Sequence, residues 1–204
     1  DQPYQQSASK GYEADGLLYL KSGSKEQNIL AKQGDDLRID WGYFYMVAGK
    51  ENTAYSVGNS TELRKNFVNG TLNSASLEGE DSNGNMALVR SHGKVKNVTD
   101  KIMLGYDDIY SIQYFGTNLR PYWNSKGDRT IEAEMLAAYN EYDKLLARCY
   151  AFDKKLMEDA SAAGGKEYAE LCALAYRQSI AAHKLVEAPN GDLLWLSKEN
   201  NSNG

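Results

Sequence analysis

Five side chains in the last thirty residues of the sequence could together bind a small polar molecule: Tyr176, Arg177, Lys198, Glu199 and Asn203. Arg177 carries a guanidinium, which can bind a carboxylate through two parallel hydrogen bonds. Glu199 could act as a catalytic base or hold an ammonium group, and Lys198 and Asn203 could add polar contacts. This set suits a zwitterionic amino acid or a sugar. On composition alone, however, a solvated loop beside charges on a helix flank is the favoured interpretation.

The elements that must position these residues are helices. Apolar side chains recur at steps of three and four residues, which is typical of one face of a helix. The stripe contains Ile131, Met135, Ala138, Tyr142, Leu145, Cys149, Phe152 and Leu156. We expect this helix to start near residue 128 and to stop at Gly164 and Gly165, and a second helix to run from about Lys166 to Glu187. The short connection makes the pair an antiparallel αα-hairpin.

This hairpin is incomplete as a folded unit. Two amphipathic helices expose their outer stripes unless further helices cover them. We therefore expect the chain to be a fragment of a longer protein, and bare stripes also predict self-association. Cys149 and Cys172 lie on the stripes and are expected to be buried thiols.

The first half of the sequence predicts an antiparallel β-sandwich. Short β-branched and aromatic runs alternate with turn residues there. The predicted strands are Gly16 to Lys21, Gln27 to Lys32, Leu37 to Ala48, Thr53 to Val57, Met86 to Ser91, Lys101 to Gly105 and Ile109 to Phe115. The run from Arg38 to Val47 carries bulky side chains on both faces, which predicts a central strand. One short helix is expected between Ser60 and Gly70. The fold class is therefore α+β, with a sandwich region over residues 1–125 and a helical region over 126–204.

Composition and motifs argue against several classes of function. The 23 basic and 28 acidic residues give a net charge of −5 without a basic cluster, so we expect no nucleic-acid partner. No apolar run is long enough for a membrane span. Two histidines and two cysteines cannot build a zinc cage, and no nucleotide motif occurs, so neither metal nor cofactor is expected. For His92 and His183, structural roles are favoured over general-base roles, because no carboxylate is placed to orient them.

Three segments give the sequence a resemblance to a known family. They are Ala173 to Gln178, Ala181 to Val186 and, above all, the run from Ser197 to Gly204, which reads Ser-Lys-Glu-Asn-Asn-Ser-Asn-Gly. Together they resemble the glutaminase A family of fungi and bacteria, in which a helix with Arg-Gln and Lys-Leu-Val precedes a Lys-Glu and Asn-Gly turn. The similarity covers residues from roughly 100 to 204 well and the earlier residues loosely.

The resemblance implies both an architecture and an activity. Family members have a β-sandwich followed by a six-hairpin (α/α) toroid, so this chain would contain the end of the sandwich and the start of the toroid. The implied reaction is hydrolysis of L-glutamine to L-glutamate and ammonia by a secreted, periplasmic or cell-surface protein. The implied partners are glutamine or a related amide and the remainder of the parent chain. The fragment is not expected to be active alone.

Two other functions stay open at this stage. Sandwich and toroid architectures also serve glycoside hydrolases, and fold alone does not assign chemistry. Asp107, Asp108 and Glu199 could then form a carboxylate pair across an aromatic cleft. Alternatively, the chain is a non-catalytic module that binds a glycan or a partner protein, which an exposed planar row of aromatic side chains would indicate.

Overall fold

The computed structural model describes residues 7–31, 41–72, 85–181 and 183–197, and it has the predicted α+β class. The chain divides into two compact units. The first contains the described residues up to 109 together with residues 131–136, and the second contains residues 110–130 and the described residues from 137 onwards. Each unit is built around its own antiparallel strand pairs.

The described residues of the first unit form six strands, one complete helix and the start of another. In chain order these are β1 (Ser7–Ala14), β2 (Leu17–Ser24), β3 (Tyr43–Gly49), β4 (Thr53–Gly58), α1 (Ser60–Val68), β5 (Asn85–Arg90), β6 (Met103–Asp107) and the first residues of α2 (Ile131–Asn140). Four strands form an antiparallel sheet in the order β1-β2-β3-β6, and β4 pairs with β5. The predicted central position of β3 is confirmed, since it lies between β2 and β6.

One face of the four-stranded sheet packs against the β4–β5 pair. Leu18 and Leu20 of β2 form a buried cluster with Tyr55 and Val57 of β4. Burial of side chains of this size contributes about 1.5 to 3 kcal/mol each. The contact is close enough to require glycine at position 11, because a Cβ there would lie 2.1 Å from Cε2 of Tyr55. Two antiparallel layers thus share one apolar core.

The opposite face of the sheet is held to the start of α2 by tyrosine hydroxyls. Tyr12 donates a hydrogen bond of 2.6 Å to Oε1 of Glu132, and Tyr19 donates one of 3.3 Å to the Glu132 carbonyl oxygen. The rings of Tyr12 and Tyr19 stack at 5.1 Å. Met135 lies over Gly105, where an added Cβ would approach the Met135 sulfur to 3.0 Å. The sheet is therefore covered on both faces, as the bulk on both sides of β3 predicted.

Burial and the carboxylate of Glu132 change the acidity of this tyrosine cluster. Burial, followed by the hydrogen bond to Glu132, raises the pKa of Tyr12 well above its ordinary value of 10.0. Burial and the charge of Glu132 likewise raise the pKa of Tyr45. Both phenols therefore stay protonated through the neutral range, and Tyr12 remains able to donate its hydrogen bond.

The sequence prediction missed the first strand and misassigned another. β1 was absent from the prediction, although Asp15 and Gly16 form the tight turn into β2 with φ values of 50° and 78°. An Asp-Gly pair with two positive φ angles is typical of a two-residue hairpin turn. The strand predicted from Gln27 to Lys32 was wrong over its described part, which forms turns. There Leu30 has a φ of 51°, which an extended strand does not allow.

In the second unit, the part that the structure describes forms two strand pairs and the helical hairpin. Besides the end of α2, its elements are β7 (Ile112–Tyr114), β8 (Thr117–Leu119), a short 3₁₀ turn (Tyr122–Asn124), α3 (Tyr142–Ala181), β9 (His183–Glu187) and β10 (Leu193–Ser197). β7 pairs with β8 and β9 pairs with β10, both antiparallel. Pro121 forms a bridge with Val186, which is fully buried.

Gly165 divides α3 into two arms, residues 142–164 and 166–181. Its φ of 84° and ψ of −176° lie in a region that is essentially restricted to glycine. The chain reverses there, and both arms line one groove. Ala160 and Ala169 are buried on either side of the reversal, where small side chains let the arms approach. The predicted αα-hairpin with a turn at Gly164 and Gly165 is confirmed.

The second helix is shorter than predicted. It was expected to reach Glu187, but it ends at Ala181, and residues 183–187 form β9. The cause is pairing with β10, in which Val186 lies opposite Leu194 and Leu185 opposite Trp195. Tertiary pairing of this kind overrides the helical propensity of a short segment. The division at residues 1–125 and 126–204 stays a prediction.

The bond between Tyr12 and Glu132 leads to a prediction about stability. Replacing Tyr12 with Phe should lower the free energy of unfolding by about 1 to 2 kcal/mol at neutral pH, because one hydrogen bond to a charged group is lost. The raised pKa makes this contribution fully present below the unfolded-state value of about 10 and lost as the pH rises towards the folded-state value. Above pH 10 the wild type should therefore lose stability more steeply than Y12F. Urea unfolding at pH 8 and pH 10.5 measures both effects, with the exposed Tyr150→Phe as a control expected to change neither.

The backbone of Gly165 leads to a second prediction. Gly165→Ala should lower the free energy of unfolding by about 1 to 3 kcal/mol, because alanine is strained at this φ and ψ. Apart from the adjoining backbone, no atom lies within 4 Å of the added methyl, so the loss would come from backbone strain. Thermal unfolding followed by circular dichroism measures it. Ser161→Ala, at an exposed helical position in the same turn, should stay within about 0.5 kcal/mol of wild type. An equal effect of both variants would contradict the role of Gly165.

Candidate functional site

The structure describes two of the five predicted site residues. Tyr176 and Arg177 lie on the second arm of α3. Lys198, Glu199 and Asn203 lie outside the described residues, so whether these side chains converge with Arg177 stays a prediction. Ser197, the last residue of β10, immediately precedes them in sequence. The site is therefore built from the α3 hairpin and the strand pair that follows it.

A groove of about 1140 Å³ lies between the two arms of α3. Most of its lining side chains are apolar, and several of them are exposed: Leu145, Phe152, Tyr176 and Ile180 each expose more than a third of their surface. The complete lining consists of Leu145, Arg148, Cys149, Ala151, Phe152, Asp153, Leu156, Met157, Ala173, Tyr176, Arg177, Ile180 and Ala181. Leu145, Cys149, Phe152 and Leu156 of the predicted stripe line this groove. The described part of the second unit leaves the first three of these side chains exposed.

Charged side chains join the apolar ones in this groove. Arg177 comes from the second arm, and Arg148 and Asp153 come from the first. Within the described part of the chain, no hydrogen bond or salt bridge engages Arg177. Its guanidinium therefore keeps all five donors available there, which suits recognition of a carboxylate.

Tyr176 contacts the opposite arm through its ring. Its ring centroid lies 5.1 Å from that of Phe152, with the planes tilted by 41°. A pair of this geometry contributes about 0.5 to 1.5 kcal/mol beyond area burial. Tyr176 thus helps to hold the two arms together, and its predicted contact with a substrate stays a prediction.

The two cysteines differ from their predicted environments. Cys149 is exposed in the groove and Cys172 is half-buried, and both are free thiols. The prediction that both thiols are buried was wrong for Cys149. The physical reason is that the stripe carrying Cys149 faces the open groove and not a covered core.

The β9–β10 pair adds a feature that the sequence analysis did not identify. The rings of His183 and Trp195 stack with centroids 5.8 Å apart and planes 3° from parallel. Nδ1 of His183 lies 2.6 Å from the carbonyl oxygen of Ser179, in the last turn of α3. Two contacts therefore orient this imidazole. The sequence signal was the Asn190-Gly191 turn with apolar runs on both sides, a pattern that favours a hairpin.

Glu187 anchors the same strand pair to the 3₁₀ segment. It accepts a hydrogen bond of 2.8 Å from Ser125 and forms a salt bridge with Lys126. These two hydrogen bonds, with that from Lys126 the stronger influence, lower the pKa of the Glu187 carboxyl group. Together with the bridge between Pro121 and Val186, they fix the position of β9 within the second unit.

The described residues offer little for a metal ion. No group of three or more His, Cys, Asp or Glu side chains among residues 7–31, 41–72, 85–181 and 183–197 is arranged to hold one. In the same ranges, no helix combines the length and the apolar composition that crossing a membrane requires.

Comparison with known proteins identifies relatives of both parts of the chain. Residues 1–159 match the family model described as a domain of unknown function, DUF5127. Residues 165–204 match the glutaminase A six helical-hairpin domain. A protein named glutaminase A from Aspergillus oryzae (strain ATCC 42149 / RIB 40) is 26% identical over 210 residues. No solved structure matches significantly.

The coverage of these matches shows how the chain is related to the proteins it matches. The similarity to the Aspergillus protein covers 95% of this chain but only 29% of that relative, so the chain spans less than a third of its length. The second family model begins at the reversal in α3 and includes Arg177 and the segment from Lys198 to Gly204. The segments that carried the resemblance in the sequence therefore lie within that match. The chain belongs to the DUF5127 family, and its C-terminal part is related to the six helical-hairpin domain of the glutaminase A family.

Proposed function

We propose that the full-length protein containing this chain is an amidohydrolase that converts L-glutamine to L-glutamate and ammonia. The observation that carries the proposal is the match of residues 165–204 to the six helical-hairpin domain of glutaminase A. The geometry supports it, because Arg177 lies inside that match and lines an open groove. The same relation supports an extracytoplasmic location, either secreted, periplasmic or at the cell surface.

Hydrolysis of a side-chain amide places defined demands on the site. The substrate's carboxylate needs a cation and its ammonium group needs an anion, while the reaction needs a base for water and a proton donor for departing ammonia. Arg177 is proposed to bind the carboxylate. Glu199 is proposed to act as base or as ammonium clamp, with polar contacts from Lys198 and Asn203. Tyr176, whose ring contacts Phe152, is also proposed to bind the substrate.

The open groove supports a further proposal about the parent protein. Helices from the remainder of a longer chain would cover exposed side chains such as Phe152 and Ile180, and would complete the site. Without them, exposed apolar surface of this extent favours self-association. The 204-residue chain alone is therefore expected to lack activity and to form oligomers on size-exclusion chromatography.

One pair of assays separates this function from the carbohydrate-active alternative. The full-length protein should release ammonia from L-glutamine and should release no reducing sugar from a panel of polysaccharides. The 204-residue chain, assayed in parallel, should do neither. Absence of ammonia release by the full-length protein would remove the amidohydrolase proposal, and release of reducing sugar would support a glycosidase.

The role of Arg177 gives a testable prediction. In the full-length protein, Arg177→Ala should weaken glutamine binding by about 2 to 4 kcal/mol, because a charged hydrogen-bonding partner of the substrate carboxylate is removed. This corresponds to a rise in KM of about 30- to 700-fold. Steady-state kinetics of ammonia release measures it.

The opposite arm of the groove offers a matched control. Arg148→Ala removes the same type of side chain from the same groove and should leave KM within a few-fold of wild type. Arg177→Lys should fall between wild type and alanine, since it keeps the charge and loses the planar fork. An unchanged KM in Arg177→Ala would contradict the proposed role, and equal effects at both arginines would indicate a general electrostatic effect.

A further inference from the structure

The groove of α3 contains a negative charge as well as its arginines. Among the described residues that line it, Asp153 is the one acidic side chain, and it lies on the first arm. Arg177 lines the same groove from the second arm. Both residues are helical, so the backbone fixes the position from which each side chain extends. The groove therefore offers a carboxylate and a guanidinium, one from each arm.

A ring contact fixes the level of these two charges along the hairpin. The rings of Phe152 and Tyr176 meet with centroids 5.1 Å apart. Asp153 directly follows Phe152 in the sequence, and Arg177 directly follows Tyr176. Each residue of a helix advances by about 1.5 Å along its axis, and the two arms advance in opposite directions. Asp153 and Arg177 are therefore displaced by only about 3 Å along the hairpin axis.

The antiparallel course of the arms also turns both side chains to the same side. One residue step in a helix rotates the side chain by about 100° around the axis. Since the second arm runs backwards, the step from Tyr176 to Arg177 rotates in the opposite sense to the step from Phe152 to Asp153. Both charged side chains thus leave the line between the arms on one side of the hairpin, in agreement with their position on one groove.

The carboxylate of Asp153 is not neutralised by the part of the chain that the structure describes. Neither Asp153 nor Arg177 forms a salt bridge or a hydrogen bond there, although both side chains line one groove. Glu158 and Asp159, on the same arm, differ in this respect because each pairs with a lysine of that arm. Packed helices have axes about 8 to 10 Å apart, which leaves room for a small head group between the two charges.

We propose that Asp153 binds the ammonium group of the amino-acid substrate while Arg177 binds its carboxylate, an inference that rests on the proposed amidohydrolase function. The observation that carries it is the pair of opposite charges on one side of the groove, at nearly one level and not bonded to each other. Of the two roles proposed for Glu199, the ammonium clamp then belongs to Asp153.

A site with two opposite charges selects for a zwitterion. A substrate with both groups on one carbon supplies a partner to each charge of the groove. A substrate without the ammonium group leaves the carboxylate of Asp153 without a partner, and a site of this kind rejects such analogues. Asp153 is therefore a specificity-determining residue, and its effect should depend on whether the substrate carries an α-amino group.

The test compares two substrates in steady-state kinetics of ammonia release by the full-length protein. They are L-glutamine and glutaric acid monoamide, which is glutamine without its α-amino group. Asp153→Asn should raise KM for glutamine by about 10- to 100-fold with little change in kcat, since one hydrogen bond to a charged group is lost. For the monoamide, the same variant should keep the wild-type kcat/KM, because that substrate has no group for Asp153 to bind.

Other carboxylate variants provide the controls. Glu158→Gln removes a carboxylate from the same arm, outside the groove lining, and should keep the wild-type KM for glutamine. Asp153→Glu keeps the charge on a longer side chain and should fall between wild type and Asp153→Asn. The thermal unfolding midpoint of Asp153→Asn should equal that of wild type, because the replaced side chain is exposed.

The comparison of substrates separates the possible failures. An unchanged KM for glutamine in Asp153→Asn would overturn the role of Asp153 while leaving the amidohydrolase function intact. An equal loss with glutamine and with the monoamide would overturn it as well, because it would indicate a general effect on the groove. Failure of the wild-type protein to release ammonia from glutamine would overturn both proposals.

Discussion

The reversal of the chain at Gly165 is the constraint on which the proposed site depends. A φ of 84° with a ψ of −176° turns one long helical segment into two arms that lie side by side. Ala160 and Ala169 are buried near the turn, and residues of both arms farther from the turn line the groove. Arg177 enters this groove only because the second arm runs back along the first. The position of the Arg177 guanidinium therefore depends on backbone angles at Gly165 that are essentially restricted to glycine.

The groove brings charged side chains of α3 next to apolar ones. Arginines face it from both arms, and its walls are apolar. In the proposed function, Glu199 is either the base or the anionic partner for the substrate's ammonium group. With Asp153 as that anionic partner, α3 supplies both charges that bind the substrate's head group.

The spacing of apolar residues predicted the helical part of the fold, because the burial pattern along a helix repeats within a few residues. The stripe from Ile131 to Leu156 and the glycine pair at Gly164 and Gly165 were sufficient to predict the hairpin. β9 was assigned to a helix because the run from His183 to Glu187 has no strong local preference. Its structure depends on pairing with β10 and on the bridge from Pro121, which are contacts that a window of sequence does not contain.

The candidate site and β1 also show which features the local sequence could predict and which it could not. Arg177 and Tyr176 were identified by residue type, and the structure places both on the groove. The stacked pair of His183 and Trp195 was missed, because a helix continuing to Glu187 would not bring these rings together. β1 was missed because its small and polar residues carry little apolar signal, although Asp15 and Gly16 encoded its turn. Pairing of β9 with β10 therefore explains the first miss, and weak apolar signal explains the second.

The close contact between Gly11 and Tyr55 restricts how sequences of this family can diverge. A Cβ at position 11 would lie 2.1 Å from the Tyr55 ring, so position 11 cannot gain a side chain while that ring is in place. A larger residue at 11 becomes acceptable only after the ring at 55 has been replaced by something smaller. In an alignment of homologues the two positions should therefore covary, and that signal would report the packing of β1 on β4 without any coordinates.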